Sequence, residues 1–332
     1  MREIKNISIL GSTSWGITIA NILIHNVDNI TIITRDLKEE KKINDERLIS
    51  RGKIYKLNNK IKVSSNYEKT IEESQIIILA VPSISIKKNI DKINKSLTNE
   101  KIVISAIKGF EKESKKTISQ YLFDNTNLKQ NNIGVISGPN ISSEIYDGLP
   151  ATTVIGINKI YEEEIREVFN TENFRAYSSN DIIGIETGGI LKNIFAIGAG
   201  IIQEYKLGTN AMASYITRSL NEIKNISKFF GAEENTTFGN SGLGDLITTC
   251  FNHNSRNNQL GTLIAKGNNL ITSQEKIYGV IEGINSTKIM NQILVDNKIE
   301  APIISEIYKV LFENKNPKIG IEDLMKRDYS RE

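Results

Sequence analysis

Residues 6–20 read "NISILGSTSWGITIA". An apolar run ends at Gly11, four residues intervene, and from Gly16 apolar positions recur at helical spacing. This is the outline of a strand, a tight turn and a helix. The helix N-terminus offers unpaired N–H groups and a positive dipole end to a pyrophosphate. Gly11 supplies the turn, and Gly16 lets the helix pack close to the sheet. The dinucleotide fingerprint G-x-G-x-x-G wants a further glycine at position 13, where Thr13 stands. A Cβ there crowds a phosphate, although the Thr13 hydroxyl or the Ser14 N–H offers a donor in exchange. The local pattern therefore supports two readings, a modified cofactor loop or a plain strand–turn–helix.

Outward from this stretch, the first half alternates short apolar runs with polar helical segments. "ISIL", "NITIIT", "SQIIILAV", "KIVISAI" and "IGVISG" are continuous runs rich in β-branched residues rather than alternating ones. Strands covered on both faces have that composition, so a parallel sheet between helices is expected. "ATTVIGI" adds a strand. From Asp181 the character changes. "DIIGIETGGILKNIFAIGAGIIQEYKL" and "NAMASYITRSLNEIKNISKFFG" have helical length, and Gly231 is a C-cap for the second. Further helices follow at "SRNNQLGTLIAKG", "NSTKIMNQILVDNK" and "PIISEIYKVLFEN". The expected fold class is α/β. A Rossmann-like, doubly wound, mainly parallel sheet forms a dinucleotide-binding domain over residues 1–180. An all-helical substrate and catalytic domain follows over residues 181–332.

At 332 residues the chain is long enough for two such cores. Forty-two basic against 39 acidic residues leave a net charge of +3, too balanced to imply a nucleic-acid or membrane partner. The single cysteine, Cys250, excludes an internal disulfide, fits a reducing compartment and reads as a small buried hydrophobe. The apolar run Ile194–Ile202 is nine residues long, against roughly 20 for a membrane span. With no secretory pattern at the start, a cytoplasmic protein without membrane insertion is expected. His25 and His253 have no companion at ligand spacing, so no metal site is expected.

Several residues carry chemistry. In "IITRD", Arg35 at a strand end is placed to accept a 2′-phosphate, while Asp36 keeps the ribose 2′-OH of NAD open. A solvated arginine is the plain alternative. "LAVPS", "AIKGFE" with Lys108 and "ISGPN" with Gly138 end buried strands at the sheet edge where ligands of open α/β folds sit. In "GGILKNIFAIGAGII", Lys192 and Asn193 are the only side chains that are neither apolar nor glycine. A helix apolar all round is buried, and a buried lysine is costly unless paired or functional. Burial favours the neutral amine that a general base requires, whereas a lysine that snorkels to the surface has no such role. Gly188 and Gly189 allow a ligand or another backbone to come close. In "GLGDLITTCFNHNSRNNQLG", Asp245 caps a helix or serves the site. Ser255, Arg256, Asn257 and Asn258 offer a hydroxyl, a guanidinium fork and amide groups at a helix start. That is either a phosphate site or an N-cap beside a surface arginine.

Together these residues resemble the bacterial-type NAD(P)-dependent glycerol-3-phosphate dehydrogenases. The matching segments are "GSTSWG", "AVPS", "AIKGFE", "SGPN", "GGILKNIFAIGAG", "ITRSLNEI", "SGLGDLITTC", "SRNNQLG" and "IEGINST", in order from residue 11 to 287. The resemblance implies an enzyme that interconverts sn-glycerol 3-phosphate and dihydroxyacetone phosphate with NAD or NADP. It implies hydride transfer at C2 with Lys192 as proton acceptor and donor, assisted by Lys108 and Asp245. Lys108, Gly138, Asn140, Lys192, Asp245, Ser255, Arg256 and Asn257 become the substrate contacts. Gly11, Ser14, Trp15, Gly16, Arg35, Lys108, Ser142, Arg256, Val280 and Glu282 become the cofactor contacts. A homodimer that supplies glycerol 3-phosphate to phospholipid synthesis is also implied.

Four positions depart from the family pattern: Thr13, Asn140 where Ser or Thr is usual, Ser142 where Ala is usual, and Ser219 where Gly is usual. None removes Lys192, Lys108, Asp245 or Arg256. A β-hydroxyacid dehydrogenase-like enzyme shares the architecture and a helix-borne lysine but leaves "SRNN" unexplained. A non-catalytic dinucleotide-sensing protein draws its support from Thr13.

Overall fold

A computed structural model describes residues 4–327. The described residues form two compact units, divided between Glu186 and Thr187. The strands of the first unit are β1 (Asn6–Leu10), β2 (Asn29–Ile33), β3 (Leu48–Ser50), β4 (Ile54–Lys56), β5 (Ile61–Ser64), β6 (Ile76–Leu79), β7 (Ile102–Ser105), β8 (Ile133–Ser137), β9 (Ala151–Gly156) and β10 (Phe174–Ser179). Its helices are α1 (Ser14–Leu23), α2 (Leu37–Glu46), α3 (Tyr67–Glu73), α4 (Ile86–Ile93), α5 (Ile118–Asn125), α6 (Ser142–Tyr146) and α7 (Glu162–Phe169). Eight strands make one sheet in the order β10-β9-β8-β7-β6-β1-β2-β5, and β3 and β4 form a separate hairpin.

The runs rich in β-branched residues lie at the centre of this sheet. Ile32, Ile9, Ile78 and Ile104 stand side by side across β2, β1, β6 and β7, all fully buried. Each such side chain stabilises the fold by roughly 1.5–3 kcal/mol relative to exposure. The chain builds outward from β1 in one direction and from β6 in the other. The turns after β1 and β6 therefore flank the point where strand order reverses, the crevice that binds ligands in open α/β sheets.

One pairing breaks the parallel pattern, since β8 and β9 are antiparallel. Only the five-residue α6 intervenes as regular structure. It rises about 7.5 Å, against roughly 16 Å for a strand as long as β8. The chain thus re-enters the sheet from the edge it left.

In the second unit α8 (Ile182–Glu204) continues beyond its first residues and is followed by α9 (Gly208–Phe229), α10 (Asp245–Phe251), α11 (Arg256–Ala265), α12 (Leu270–Lys276), α13 (Glu282–Asn297), α14 (Pro302–Phe312) and α15 (Pro317–Met325). Helix α8 is long and apolar enough to cross a membrane by composition, but it is buried within the protein as a core helix is. It meets α11 through glycines. A Cβ on Gly261 would strike the Ile197 carbonyl, and one on Gly200 the Asn258 carbonyl. The two backbones touch there with no side chain between them.

Glu222 on α9 joins it to α14. Its buried carboxylate accepts the N–H groups of Ile303 at 2.6 Å and Ile304 at 3.2 Å, in the first turn after Pro302. Burial pushes this carboxyl from 4.5 up to about 7, against the pull of the two amides and of Arg327 and Arg218. Its contribution to stability is then fully present below the unfolded value and lost as pH rises through the folded one, a change of roughly 3 kcal/mol. Urea unfolding between about pH 5 and pH 8.5 should show that loss, and Glu222→Gln should flatten it. An identical pH dependence in the variant would rule the carboxylate out as its source.

Candidate functional site

In the first unit the turn after β1 is built around Thr13, the N-cap of α1. Its hydroxyl donates to the Ala80 carbonyl, just beyond β6, at 2.7 Å and accepts the Gly16 N–H at 3.1 Å. A hydroxyl has one proton, so Thr13 has no side-chain donor left for a phosphate. Of the two donors expected to compensate for the missing glycine, the Thr13 hydroxyl and the Ser14 N–H, the hydroxyl is committed as a cap and a tie between the two turns at the reversal point, which leaves the amide. Gly16 is required, because a Cβ would strike the Gly11 carbonyl. The N–H groups of Thr13, Ser14 and Trp15 have no partner among the described residues. The Trp15 indole N–H is also buried without a partner.

Thr13→Gly tests this arrangement. Glycine is a fair cap, but the tie to Ala80 goes, so stability should fall by about 1 kcal/mol while dinucleotide affinity changes less than about tenfold. A gain of tenfold in affinity would instead identify Thr13 as an obstruction.

At the end of β2, the Arg35 side chain is 79% exposed, with Nε 3.3 Å from Asp36. Asp36 caps α2 by accepting the Glu39 N–H at 2.9 Å. That amide, with Arg35 beside it, holds the Asp36 carboxyl below the usual carboxylate range. Three free amides at a helix head and an exposed guanidinium at the next strand end are donors for a pyrophosphate and a 2′-phosphate. This donor set fits a dinucleotide.

Along the same sheet edge, Lys108 Nζ donates to the Gly138 carbonyl at 3.0 Å, so these two candidates meet. The Asn140 amide donates to the Thr152 carbonyl at 2.8 Å, and its oxygen accepts the Thr153 hydroxyl at 3.0 Å. Asn140 thus ties its loop to β9. The Ser142 carbonyl accepts the Thr18 hydroxyl of α1 at 3.1 Å.

In the second unit Lys192 is buried on α8 and does not snorkel. Its Nζ donates to Asp245 Oδ1 and to Thr249 Oγ1, each at 2.7 Å. Asp245, 1% exposed, supplies the countercharge that a buried ammonium requires. The Thr249 hydroxyl donates in turn to the Asp245 backbone carbonyl at 2.7 Å. An ammonium has three N–H groups, and the third has no partner among the described residues. Gly188 serves a backbone approach: a Cβ on it would lie 2.7 Å from the Ser241 carbonyl oxygen. Burial pushes the neighbouring Cys250 thiol up.

Ser255 caps α11, its hydroxyl accepting the Asn258 N–H, and Arg256 opens that helix with its side chain exposed. Arg256 Nη1 donates to the Val280 carbonyl at 2.7 Å. Asn257 is buried and committed. Its amide donates to Asn193 Oδ1 at 2.9 Å, and its oxygen accepts the Gly283 N–H at 2.9 Å, beside Glu282 at the head of α13. A buried chain of amides therefore joins the residue after Lys192, Asn257 and Gly283 in the first turn of α13. Among the described residues, no three His, Cys, Asp or Glu side chains gather as metal ligands.

Thr249 and Asn193 were not singled out as site residues by sequence. Thr249 stands four residues after Asp245, hence one turn along the same helix face, and that spacing was the available signal.

Residues 6–162 match the family described as NAD-dependent glycerol-3-phosphate dehydrogenase N-terminus, and residues 181–322 the one described as its C-terminus. A protein of Fusobacterium nucleatum subsp. nucleatum named glycerol-3-phosphate dehydrogenase (NAD(P)+) is 36% identical over 329 residues, 98% of each chain. One of the same name from Clostridium acetobutylicum is 36% identical over 331 residues, again 98% of each chain. The crystal structure of glycerol-3-phosphate dehydrogenase from Coxiella burnetii matches with a TM-score of 0.90 at 26% identity, covering 98% of this chain and 100% of that one.

Proposed function

The chain belongs to the NAD-dependent glycerol-3-phosphate dehydrogenase family, and we propose that it interconverts sn-glycerol 3-phosphate and dihydroxyacetone phosphate with NAD(H) or NADP(H). The observation that carries this reading is the buried Lys192–Asp245–Thr249 group, joined by Asn193 to the Ser255–Asn257 cluster.

A nicotinamide dinucleotide, when bound, exchanges a hydride with C2 of the substrate. Lys192 handles the proton. Its unprotonated amine accepts the C2 hydroxyl proton as the alcohol is oxidised, and the ammonium returns that proton on reduction. Asp245 and Thr249 hold Nζ in one place, and Asp245 balances the charge that appears on it. The third position on Nζ is left for the substrate oxygen. Arg256 and the amides at the head of α11 hold the phosphate away from the reacting carbon, which is catalysis by positioning. Asn257 contributes its backbone N–H there, its side chain being committed elsewhere.

We assign the dinucleotide to a domain of residues 1–180 and the catalytic groups to residues 181–332. On the resemblance, Lys108, Gly138 and Asn140 remain substrate contacts. Gly11, Ser14, Trp15, Gly16, Arg35, Lys108, Ser142, Arg256, Val280 and Glu282 remain cofactor contacts. The same reading makes the protein a cytoplasmic homodimer that supplies phospholipid synthesis.

The test is direct. Purified protein is mixed with dihydroxyacetone phosphate and either NADH or NADPH, and the absorbance of the reduced cofactor is followed. Oxidation with at least one cofactor is expected, and none with either overturns the proposal.

A further inference from the structure

The turn between β1 and α1 is gripped from outside by an arginine that its own sequence does not announce. Arg51 sits between β3 and β4. Its Nε donates to the Ser12 carbonyl and its Nη2 to the Ser12 hydroxyl, both at 2.9 Å. The same Nη2 pairs with Glu39 on α2. The Ser12 hydroxyl donates to Glu39 at 2.7 Å, and the other Glu39 oxygen accepts the Arg35 N–H at 3.2 Å. Burial alone would raise the Glu39 carboxyl, but Ser12, the Arg35 amide and Arg51 outweigh it and hold it below its ordinary value.

The hairpin that carries Arg51 is itself anchored. Lys53 pairs with Asp147, and the Tyr146 hydroxyl donates to the Lys56 carbonyl at 2.7 Å. The Tyr55 and Tyr146 rings pack edge to face with centroids 4.8 Å apart. Arg51 is thus a fixed post rather than a loose surface side chain.

We propose that Arg51 is a positioning residue for dinucleotide binding: by anchoring both oxygens of Ser12 it fixes the peptide whose N–H belongs to Thr13. A trans peptide directs its C=O and N–H to opposite sides, so the carbonyl held at Arg51 sets the direction of the Thr13 N–H. The unpaired amides of Ser14 and Trp15 follow in the same turn. A preorganised row of amides binds a pyrophosphate without the cost of ordering it. This role rests on the dinucleotide reading given above, and it extends to NAD(H) and NADP(H) alike because both carry the pyrophosphate.

The chain's one tryptophan, Trp15, lies in this turn, so its fluorescence reports binding directly. NADH and NADPH are titrated separately into the wild type, Arg51→Ala and Arg51→Lys, with folding checked by circular dichroism. Arg51→Ala should weaken both dinucleotides by the same factor, about tenfold or more, as expected for lost charge-assisted hydrogen bonds. Arg51→Lys should not restore binding, because a point charge lacks the fork that spans the two Ser12 oxygens. A loss confined to NADPH overturns the proposal by making Arg51 a direct 2′-phosphate contact. Full rescue by lysine overturns it by making charge sufficient. Unchanged affinities with a lowered thermal midpoint overturn it by making Arg51 merely structural. If Arg51→Ala does not fold, Arg51→Lys and Ser12→Ala carry the test: an equal loss for both dinucleotides supports the proposal, and unchanged binding overturns it. A folded wild type that binds neither dinucleotide sinks the dehydrogenase reading itself, a different result from any variant effect.

Discussion

Lys192→Ala should lower kcat by about 10⁴-fold while leaving the dinucleotide Kd nearly unchanged, because the proposed mechanism gives Lys192 the proton transfer. The substitution also strips the countercharge from Asp245, which is 1% exposed. An uncompensated buried charge costs roughly 3–5 kcal/mol, so the thermal midpoint should fall as well. That second effect can be separated from the first. Lys192→Met combined with Asp245→Asn removes both charges together, and this double variant should regain much of the lost stability while staying inactive. Turnover surviving in either variant would return Lys192 to a structural role.

Arg256→Ala should have the second largest effect, a rise of about 10- to 100-fold in the KM for dihydroxyacetone phosphate. Stability should hardly change, since the side chain is exposed and its one described bond is to the Val280 carbonyl. The pattern to look for is KM without midpoint, the reverse of what loss of a helix cap gives. Competitive inhibition by inorganic phosphate should weaken in parallel. An unchanged KM would remove the phosphate role from Arg256.

What the sequence made legible follows from burial. Strands β6, β7 and β8 are buried at every residue and are rich in isoleucine and valine, with no alternating polar face. The edge strands β5 and β10 bury alternate residues at most, and β3 and β4 bury one of three. Their sequences carry too little apolar signal to stand out, and none of the four was anticipated. Lys192 was conspicuous because it interrupts an apolar helix. Its partner Thr249 was not, because Thr in a helix is unremarkable until Asp245 is known to face the same way. Thr13 drew notice as a missing glycine, when its position was equally that of an N-cap. Arg51 lies 39 residues from Ser12, so no local pattern announces the contact.

The glycine contact between α8 and α11 fixes more than packing. Lys192 rides on one helix and Ser255, Arg256 and Asn257 open the other. With backbone against backbone at Gly200 and Gly261, no rotamer change can lengthen the span between them. On the proposed function, the two helices act as a calliper whose jaws are the proton-handling amine and the phosphate clamp. A calliper of one setting measures its object. Here it would gauge the number of bonds between the oxidised carbon and the phosphate, so that a homologue one carbon longer, however well its phosphate is held, presents the wrong carbon to Lys192.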